Sequence, residues 1–466
     1  MDRLVSATFS HRGLVVVLLI STLSLPACSK KKAPTETAAK STTPEVEEKS
    51  EKTPPSTSED DMAKSLFQLM KQAESQNAAG DFEAALETWK SIHEQVSSKY
   101  GVDGWQTVSA ELAMSAARQR TKMSKADREL AEELAKLTAS ASLAIQKQNF
   151  NEARIDIEKA AGISTRLWGK ESYVSANVNF QRARCYLGLG LHQRAIAVLN
   201  DVLNLRISLT GINHPDVETT LEMVAKSNSA LKNHAEARQA NEKLVSVTEI
   251  LWGNQSTAYA NRCNELGVSC SNSGEPGLAL PWFEKALTIR KKEFGEESLG
   301  VGHVYMNRGI AQLKLKSFKS ASDDLEKALG VFEKAKLNAK DPTWPVLFDQ
   351  LGTLALLDKR NEDGQKYFSR LADYWKLTEG ESHIEYGKSL YKLSVSIGNQ
   401  GQYDDAEPIM KKAISIFESK LGYSNKMLHQ PLTTYARLLE KMGVDQEAQK
   451  IKDRAVRLAG FQELPN

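Results

Sequence analysis

Cysteine and histidine are scarce in this chain, which has four cysteines and eight histidines among 466 residues. No two histidines have the i, i+4 spacing typical of a metal site on a helix. Cys263 and Cys270 are the closest cysteines in sequence, and on a helix their Cα atoms would lie about 10 Å apart, whereas a disulfide needs less than about 7 Å. The sequence therefore indicates neither a zinc site nor a disulfide framework. We interpret Cys185, Cys263 and Cys270 as small buried apolar residues.

The chain also lacks the signatures of catalysis and of nucleic-acid binding. Its formal net charge is only +2, and no basic stripe with interleaved aromatic residues occurs. There is no glycine-rich phosphate loop, nucleophile elbow or pair of carboxylates at a strand–helix junction. We therefore expect a protein that is not an enzyme, with no cofactor, no small-molecule substrate and no nucleic-acid partner. Turnover of peptides or glycans by the purified domain would contradict this expectation.

A repeat of 42 residues dominates the sequence. One small residue recurs at spacings of 68, 42, 42, 42, 42, 43, 42 and 42 residues, at Ala85, Ala153, Ala195, Ala237, Ala279, Ala321, Gly364, Ala406 and Ala448. Twelve residues before each lies a second small residue, at Ala73, Ala141, Ala183, Ala225, Gly267, Gly309, Gly352, Ser394 and Ala436. Antiparallel helices approach closely only where the facing side chains are small. The pattern predicts an all-α fold, a solenoid of about nine stacked antiparallel helix pairs.

Glycine punctuates the junctions between the pairs, sixteen residues after the marker alanine, at Gly101, Gly169, Gly211, Gly253, Gly295, Gly380 and Gly422. Glycine just past a helix is typical of a left-handed cap. Where this glycine is missing, Asn338 is expected to take its conformation. In the interval of 68 residues we expect a helix over 105–121. A shortened helix over 124–148 should then run into the next repeat, with a break near Thr138.

Two details resemble a known repeat family. An aromatic residue lies three positions before the marker alanine in Gly309…Phe318-x-x-Ala321 and Ser394…Tyr403-x-x-Ala406, which resembles the tetratricopeptide repeat. The period of 42 residues, with Leu-Trp-Gly at 167–169 and 251–253, is similar to the kinesin-light-chain type. The resemblance covers about residues 62–458. It implies a right-handed superhelix with a concave groove that binds protein or peptide segments.

The N-terminal residues resemble a bacterial lipoprotein signal sequence. Arg3 and Arg12 are basic, an apolar run follows at 13–25, and the segment ends in Leu-Pro-Ala-Cys with Cys28 as the lipidated residue. An ordinary secretory signal with an incidental cysteine is the alternative. The lipoprotein interpretation places the protein in the bacterial cell envelope, on the periplasmic face of the outer membrane, held by its N-terminal lipid.

The chain thus divides into five predicted segments. The signal peptide with its lipobox is residues 1–28, and a disordered tether rich in Ser, Thr, Pro, Lys and Glu is residues 29–60. Irregular helical repeats occupy residues 61–148, regular 42-residue repeats occupy 149–458, and a C-terminal tail occupies 459–466.

The first helix of each pair is expected to line the concave groove. The inward positions are polar with a few large apolar residues, and their asparagines can hydrogen-bond the backbone of an extended peptide whatever its side chains. The candidate groove residues are Asn177, Arg184, Lys226, Asn261, Asn264, His303, Asn307, Tyr391 and Asn399. Two functions fit this arrangement. The first is a lipid-anchored scaffold or adaptor that binds a partner in the groove. The second is a structural subunit of an envelope or outer-membrane assembly that uses its convex face or its ends.

Overall fold

A computed structural model describes residues 57–460 as nineteen α-helices and one short 3-10 helix, without β-strands in that range. The helices α1 to α19 are, in order, Thr57–Ala78, Phe82–Tyr100, Trp105–Thr121, Lys125–Gln146, Phe150–Trp168, Tyr173–Gly188, His192–Thr210, Pro215–Ala230, His234–Trp252, Thr257–Asn272, Pro276–Phe294, Leu299–Lys314, Phe318–Lys334, Thr343–Leu357, Asn361–Thr378, Ile384–Gly398, Tyr403–Leu421, His429–Lys441 and Asp445–Gly460. The predicted signal peptide, most of the tether and residues 461–466 lie outside the described residues.

Helix α1 begins at Thr57, inside the stretch predicted as tether.

The described residues form two compact units, one that ends at Leu251 and one that begins at Trp252. The described part of the first unit contains α1 to α8 and nearly all of α9, and the second unit contains α10 to α19. In both units the helices are stacked in the order in which they occur in the sequence. Antiparallel neighbours pack most closely, as the repeat predicts. The all-α fold of stacked helix pairs is confirmed.

The small residues lie where the paired helices touch. All nine marker residues and all nine small residues twelve positions before them are buried. Where the first helix carries glycine, its partner helix presents a large apolar side chain that is fully buried. An added Cβ at Gly267, Gly309 or Gly352 would lie 2.6, 2.8 or 2.6 Å from the side chain of Phe283, Leu325 or Phe368. The close packing predicted from these positions is therefore confirmed.

A left-handed residue closes the first helix of every pair, five positions before the marker. Its φ angle lies between 59° and 89° at Gly80, Gln148, Gly190, Lys232, Gly274, Lys316, Lys359, Gly401 and Gly443. This position was not predicted from the sequence. Glycine at five of the nine positions was the available signal, but lysine or glutamine at the other four obscured it.

The glycines between pairs adopt a different conformation from the one predicted. Their φ angles are positive, but five of them, Gly101, Gly169, Gly211, Gly295 and Gly422, have ψ between 152° and 169°. This region is open essentially only to glycine, whereas a left-handed helical cap also accepts asparagine. The prediction of a left-handed cap was wrong for these five, and the chain turns there in an extended conformation.

Asn338 does not replace the missing glycine. Helix α13 ends at Lys334, and the residue with positive φ is Lys336, at 50°. Asn338 instead organises the longer loop that follows: its Oδ1 accepts from the backbone of Lys340 at 2.8 Å, and its carbonyl accepts from Trp344 Nε1 at 2.9 Å. Asn338 therefore contributes loop hydrogen bonds rather than a left-handed backbone conformation.

The irregular N-terminal interval contains one additional helix rather than a shortened pair. Helix α4 is continuous through Thr138, whose hydroxyl donates to Leu134 O, so the predicted break is absent. The first helix of the α4–α5 pair is therefore all of Lys125–Gln146. The unpaired helix is α3, which packs Ala110 and Met114 into a core shared with α1 and α2.

Candidate functional site

Polar side chains link the first helices of successive pairs in the second unit. Asn307 Nδ2 donates to Asn264 Oδ1 at 3.0 Å, and the hydroxyls of Tyr391 and Thr434 are 3.0 Å apart. Lys392 pairs with Asp349 in the same way. In each case a residue three before the small position contacts the residue two before the small position of the next pair. We call this row of contacts the first-helix ladder.

The candidate groove residues of the second unit lie on or beside this ladder. Asn261 is exposed, and its Oδ1 accepts from Arg290 Nη2 at 2.6 Å, which leaves its amide NH₂ without a recorded partner in the described chain. Asn399 is also exposed and lies next to Asn361, 3.5 Å between side-chain N and O. His303 is half-buried, with Nδ1 2.7 Å from Leu299 O. Asn261 therefore combines an exposed amide NH₂ with a carbonyl oxygen that Arg290 holds in place.

The candidates of the first unit differ in environment. Lys226 is exposed and pairs with Glu222 on its own helix. Asn177 is half-buried, and its Oδ1 accepts from Arg206 Nη2 at 2.8 Å, so it supports a buried group. Arg184 is half-buried, and burial lowers the pKa of its guanidinium, with no carboxylate recorded nearby. Among the candidate groove residues of the first unit, Arg184 is thus the cation that has no carboxylate partner within the described chain.

A buried polar network in the first unit joins α6, α7 and α8. Arg206, only 1% exposed, donates from Nη1 to Asp216 O at 2.9 Å and to Thr220 Oγ1 at 2.8 Å. Its guanidinium carbon lies 4.2 Å from the centre of the Phe180 ring. The Tyr173 hydroxyl donates to Asp216 Oδ2, and burial together with this carboxylate raises the pKa of Tyr173. The network ties the Asn177 position to two neighbouring helices.

His214 extends this network to α3. It caps α8 by accepting the Asp216 amide on Nδ1 at 3.1 Å, so its Nε2–H faces Ser109 Oγ at 2.9 Å. The Trp105 ring packs edge-on against the imidazole at 6.2 Å. Burial lowers the pKa of His214, which keeps the ring neutral. The bond to Ser109, 105 residues away in the sequence, was not predicted because no local pattern reveals it.

Within residues 57–460, no helix combines the length and apolar content needed to cross a bilayer. Over the same range, no cluster of three His, Cys, Asp or Glu side chains could hold a metal ion. Cys185, Cys263 and Cys270 are buried and not disulfide-bonded, which confirms their interpretation as structural residues.

Comparison with known proteins agrees with the geometry of the pairs. Residues 174–249 and 256–334 match the family model of the tetratricopeptide repeat. Two stretches of the chain thus resemble tetratricopeptide repeats. The first stretch covers nearly all of α6 to α9, and the second covers α10 to α13.

One curated relative and two solved structures are also similar to this chain. A curated relative, kinesin light chain-related protein 3 of Arabidopsis thaliana, is 22% identical over 291 residues, covering 59% of this chain. The match spans only 42% of that relative's length. The apo form of RapI aligns over 81% of this chain and 97% of its own, with 14% identity and a TM-score of 0.52. BtubC (BKLC) from P. vanneervenii aligns over 53% of this chain and 95% of its own, with 16% identity and a TM-score of 0.41.

Proposed function

We propose that this protein is a non-enzymatic, lipid-anchored adaptor at the bacterial cell envelope. It holds a protein or peptide partner against the faces of its first helices, and Cys28 carries the lipid that keeps it at the periplasmic face of the outer membrane. The tetratricopeptide fold supports a role in protein–protein interaction. The anchor rests on the Leu-Pro-Ala-Cys sequence that ends at Cys28.

The partner proposal rests on the exposure and the hydrogen bonding of the Asn261 side chain. Arg290 fixes its carbonyl oxygen at 2.6 Å, and Arg290 itself is held by Gly300 O at 2.5 Å, so the amide has a set orientation. An exposed amide with a fixed carbonyl offers donors to a peptide carbonyl at little entropic cost. Asn264 and Asn307, which bond each other, lie close by on the ladder and complete a polar surface.

One observation favours a second function, a structural subunit of an envelope assembly. Most polar side chains of the ladder already bond one another, as Tyr391 does with Thr434 and Lys392 with Asp349. Groups satisfied in this way stabilise the stack and contribute less to a ligand. Such a protein would use its other surfaces, and changes on the ladder would leave its associations intact.

Capture of partners from intact cells separates the two functions. We expect Asn261→Ala to lower the recovery of a cross-linked partner by about tenfold, the effect of losing one or two directed hydrogen bonds. Arg290 keeps its bond to Gly300 in this variant, so the helices should stay folded. The measurement is quantitative mass spectrometry of material that co-purifies with a C-terminally tagged chain.

Two further variants control this experiment. Asn204→Ala removes an exposed amide from the second helix α7 and should leave recovery unchanged. Cys28→Ala should release the protein from the membrane fraction without changing its fold. Equal recovery from wild type and Asn261→Ala would favour the structural subunit, and unchanged membrane fractionation of Cys28→Ala would refute the lipid anchor.

A further inference from the structure

A small cavity lies between four helices of the first unit. It has a volume of about 40 Å³ and is bounded by Arg120 of α3, Leu134 and Thr138 of α4, Trp168 of α5 and Gln181 of α6. A water needs about 10–15 Å³ by the same measure, so the cavity has room for a group of two to three heavy atoms beyond the protein wall. The cavity is independent of the Asn261 surface, which belongs to the other unit.

The polar atoms around this cavity include two donors without partners. Trp168 is only 9% exposed, and its indole Nε1–H has no hydrogen-bond acceptor in the described chain. Arg120 is half-buried, and its Nε is cut off from solvent without a hydrogen-bond acceptor in residues 57–460. The Arg120 guanidinium carbon lies 5.9 Å from the centre of the Trp168 ring, so the two donors share one wall.

Acceptors are correspondingly scarce. No aspartate or glutamate borders the cavity. The amide oxygen of Gln181 accepts from Ser142 Oγ, and that of Asn177 accepts from Arg206, each at 2.8 Å. Burial lowers the pKa of the Arg120 guanidinium, and no neighbouring carboxylate opposes that change. The site therefore presents a desolvated cation and an indole donor that nothing in the protein satisfies.

We propose that this cavity binds a carboxylate group, with the Arg120 guanidinium and the Trp168 indole N–H as its donors. A half-buried guanidinium with an unpaired, solvent-inaccessible Nε has lost hydration without gaining a partner, whereas an arginine bonded to a carboxylate has both its charge and its hydrogen bonds satisfied. A water molecule could accept from either donor but would leave the charge uncompensated. Arg184 lies one turn beyond Gln181 on α6 and extends the positive surface towards the rest of an acidic ligand.

The carboxylate can belong to a small free acid or to an acidic side chain of a peptide. Both are tested on the full chain purified in detergent, by thermal unfolding followed through helical circular dichroism. The probes are sodium acetate and the peptide acetyl-Ala-Glu-Ala-amide, each compared with sodium chloride at equal ionic strength. A ligand that binds only the folded state raises the melting temperature in a saturable way.

Arg120→Met is the decisive variant. Without a probe it should melt no lower than wild type, because replacing an unpaired buried charge by an apolar side chain is often neutral or stabilising. With acetate or the peptide, its apparent affinity should be at least about tenfold weaker, the effect of one charged hydrogen bond. A purely structural arginine would instead lower the melting temperature and leave any probe effect in place.

Two other variants complete the test. Trp168→Phe keeps the ring and removes the N–H, and it should weaken the probe effect while the chain stays folded. Arg118→Met, an exposed arginine on the same helix, should behave as wild type. Stabilisation by acetate alone assigns the site to free acids, and stabilisation by the peptide assigns it to acidic segments. Equal effects of chloride, or probe effects that survive in Arg120→Met, would overturn the proposal.

Discussion

Arg206→Ala should destabilise the first unit by about 3–5 kcal/mol, the usual effect of removing one member of a buried charged network. The substitution leaves the Asp216 carboxylate, which is fully buried, without its neighbouring cation, 3.9 Å away from Nη2. Asn177 Oδ1 and Thr220 Oγ1 lose their donor at the same time. Because repeat arrays can unfold in parts, urea unfolding should be combined with amide hydrogen exchange in α6, α7 and α8.

Two variants control this result. Arg194→Ala removes an exposed arginine from the same helix α7 and should change the free energy of unfolding by no more than about 0.5 kcal/mol. The double variant Arg206→Met/Asp216→Asn removes both charges, keeps a partner for the Tyr173 hydroxyl, and should recover at least part of the loss. A loss below about 1 kcal/mol in Arg206→Ala would mean that the network does not hold these helices together.

Gly352→Ala should destabilise the second unit by about 1–3 kcal/mol through overpacking. The new Cβ would lie 2.6 Å from Phe368 Cε1, and Phe368 is fully buried. The sign of the change in the free energy of unfolding is informative, because alanine alone would stabilise a helix by about 1 kcal/mol relative to glycine. Amide exchange in α14 and α15 together with urea unfolding would measure the loss.

Gly330→Ala is the matched control for this prediction. Gly330 lies in helix α13, is exposed, and has no atom within 4 Å of an added Cβ, so the variant should gain about 0.5–1 kcal/mol. In the double variant Gly352→Ala/Phe368→Leu, a smaller leucine replaces the phenylalanine ring. This variant should lose less stability than the sum of the two single variants, since the residues touch. If both glycine variants stabilised the protein, close helix contact would not be the reason for glycine at position 352.

The helix pairs could be predicted from the sequence because close helix packing requires small residues at a regular spacing. A contact between two helix backbones accepts only Ala, Gly or Ser, and it recurs at the same place in every pair, as at Gly352 and Ser394. The buried state of these residues follows directly. The unpaired helix α3 has no second copy in the chain, so no period could reveal it, and the helix at 125–146 was divided incorrectly for that reason.

The candidate sites were less accessible to sequence reasoning. Helical periodicity placed Asn261 and Asn264 on the first-helix surface, but not the bonds from Arg290 and Asn307 that fix them. The carboxylate cavity needs Arg120, Trp168 and Gln181 from three different helices, and only tertiary packing brings them together. Similarly, Gly295 and its equivalents are visible as glycines, but their ψ angles near 160° depend on the path of the chain between pairs.

The most direct test of the adaptor proposal is a contact measurement on its surface. A photo-crosslinking amino acid would replace Val268, four residues after Asn264 on α10, in one strain and Asn204 on α7 in another, and living cells would be irradiated. The proposal predicts a discrete cross-linked species containing a second protein from position 268 and none from position 204. Equal labelling at both positions, or no species at position 268 in cells where the partner still co-purifies, would contradict it.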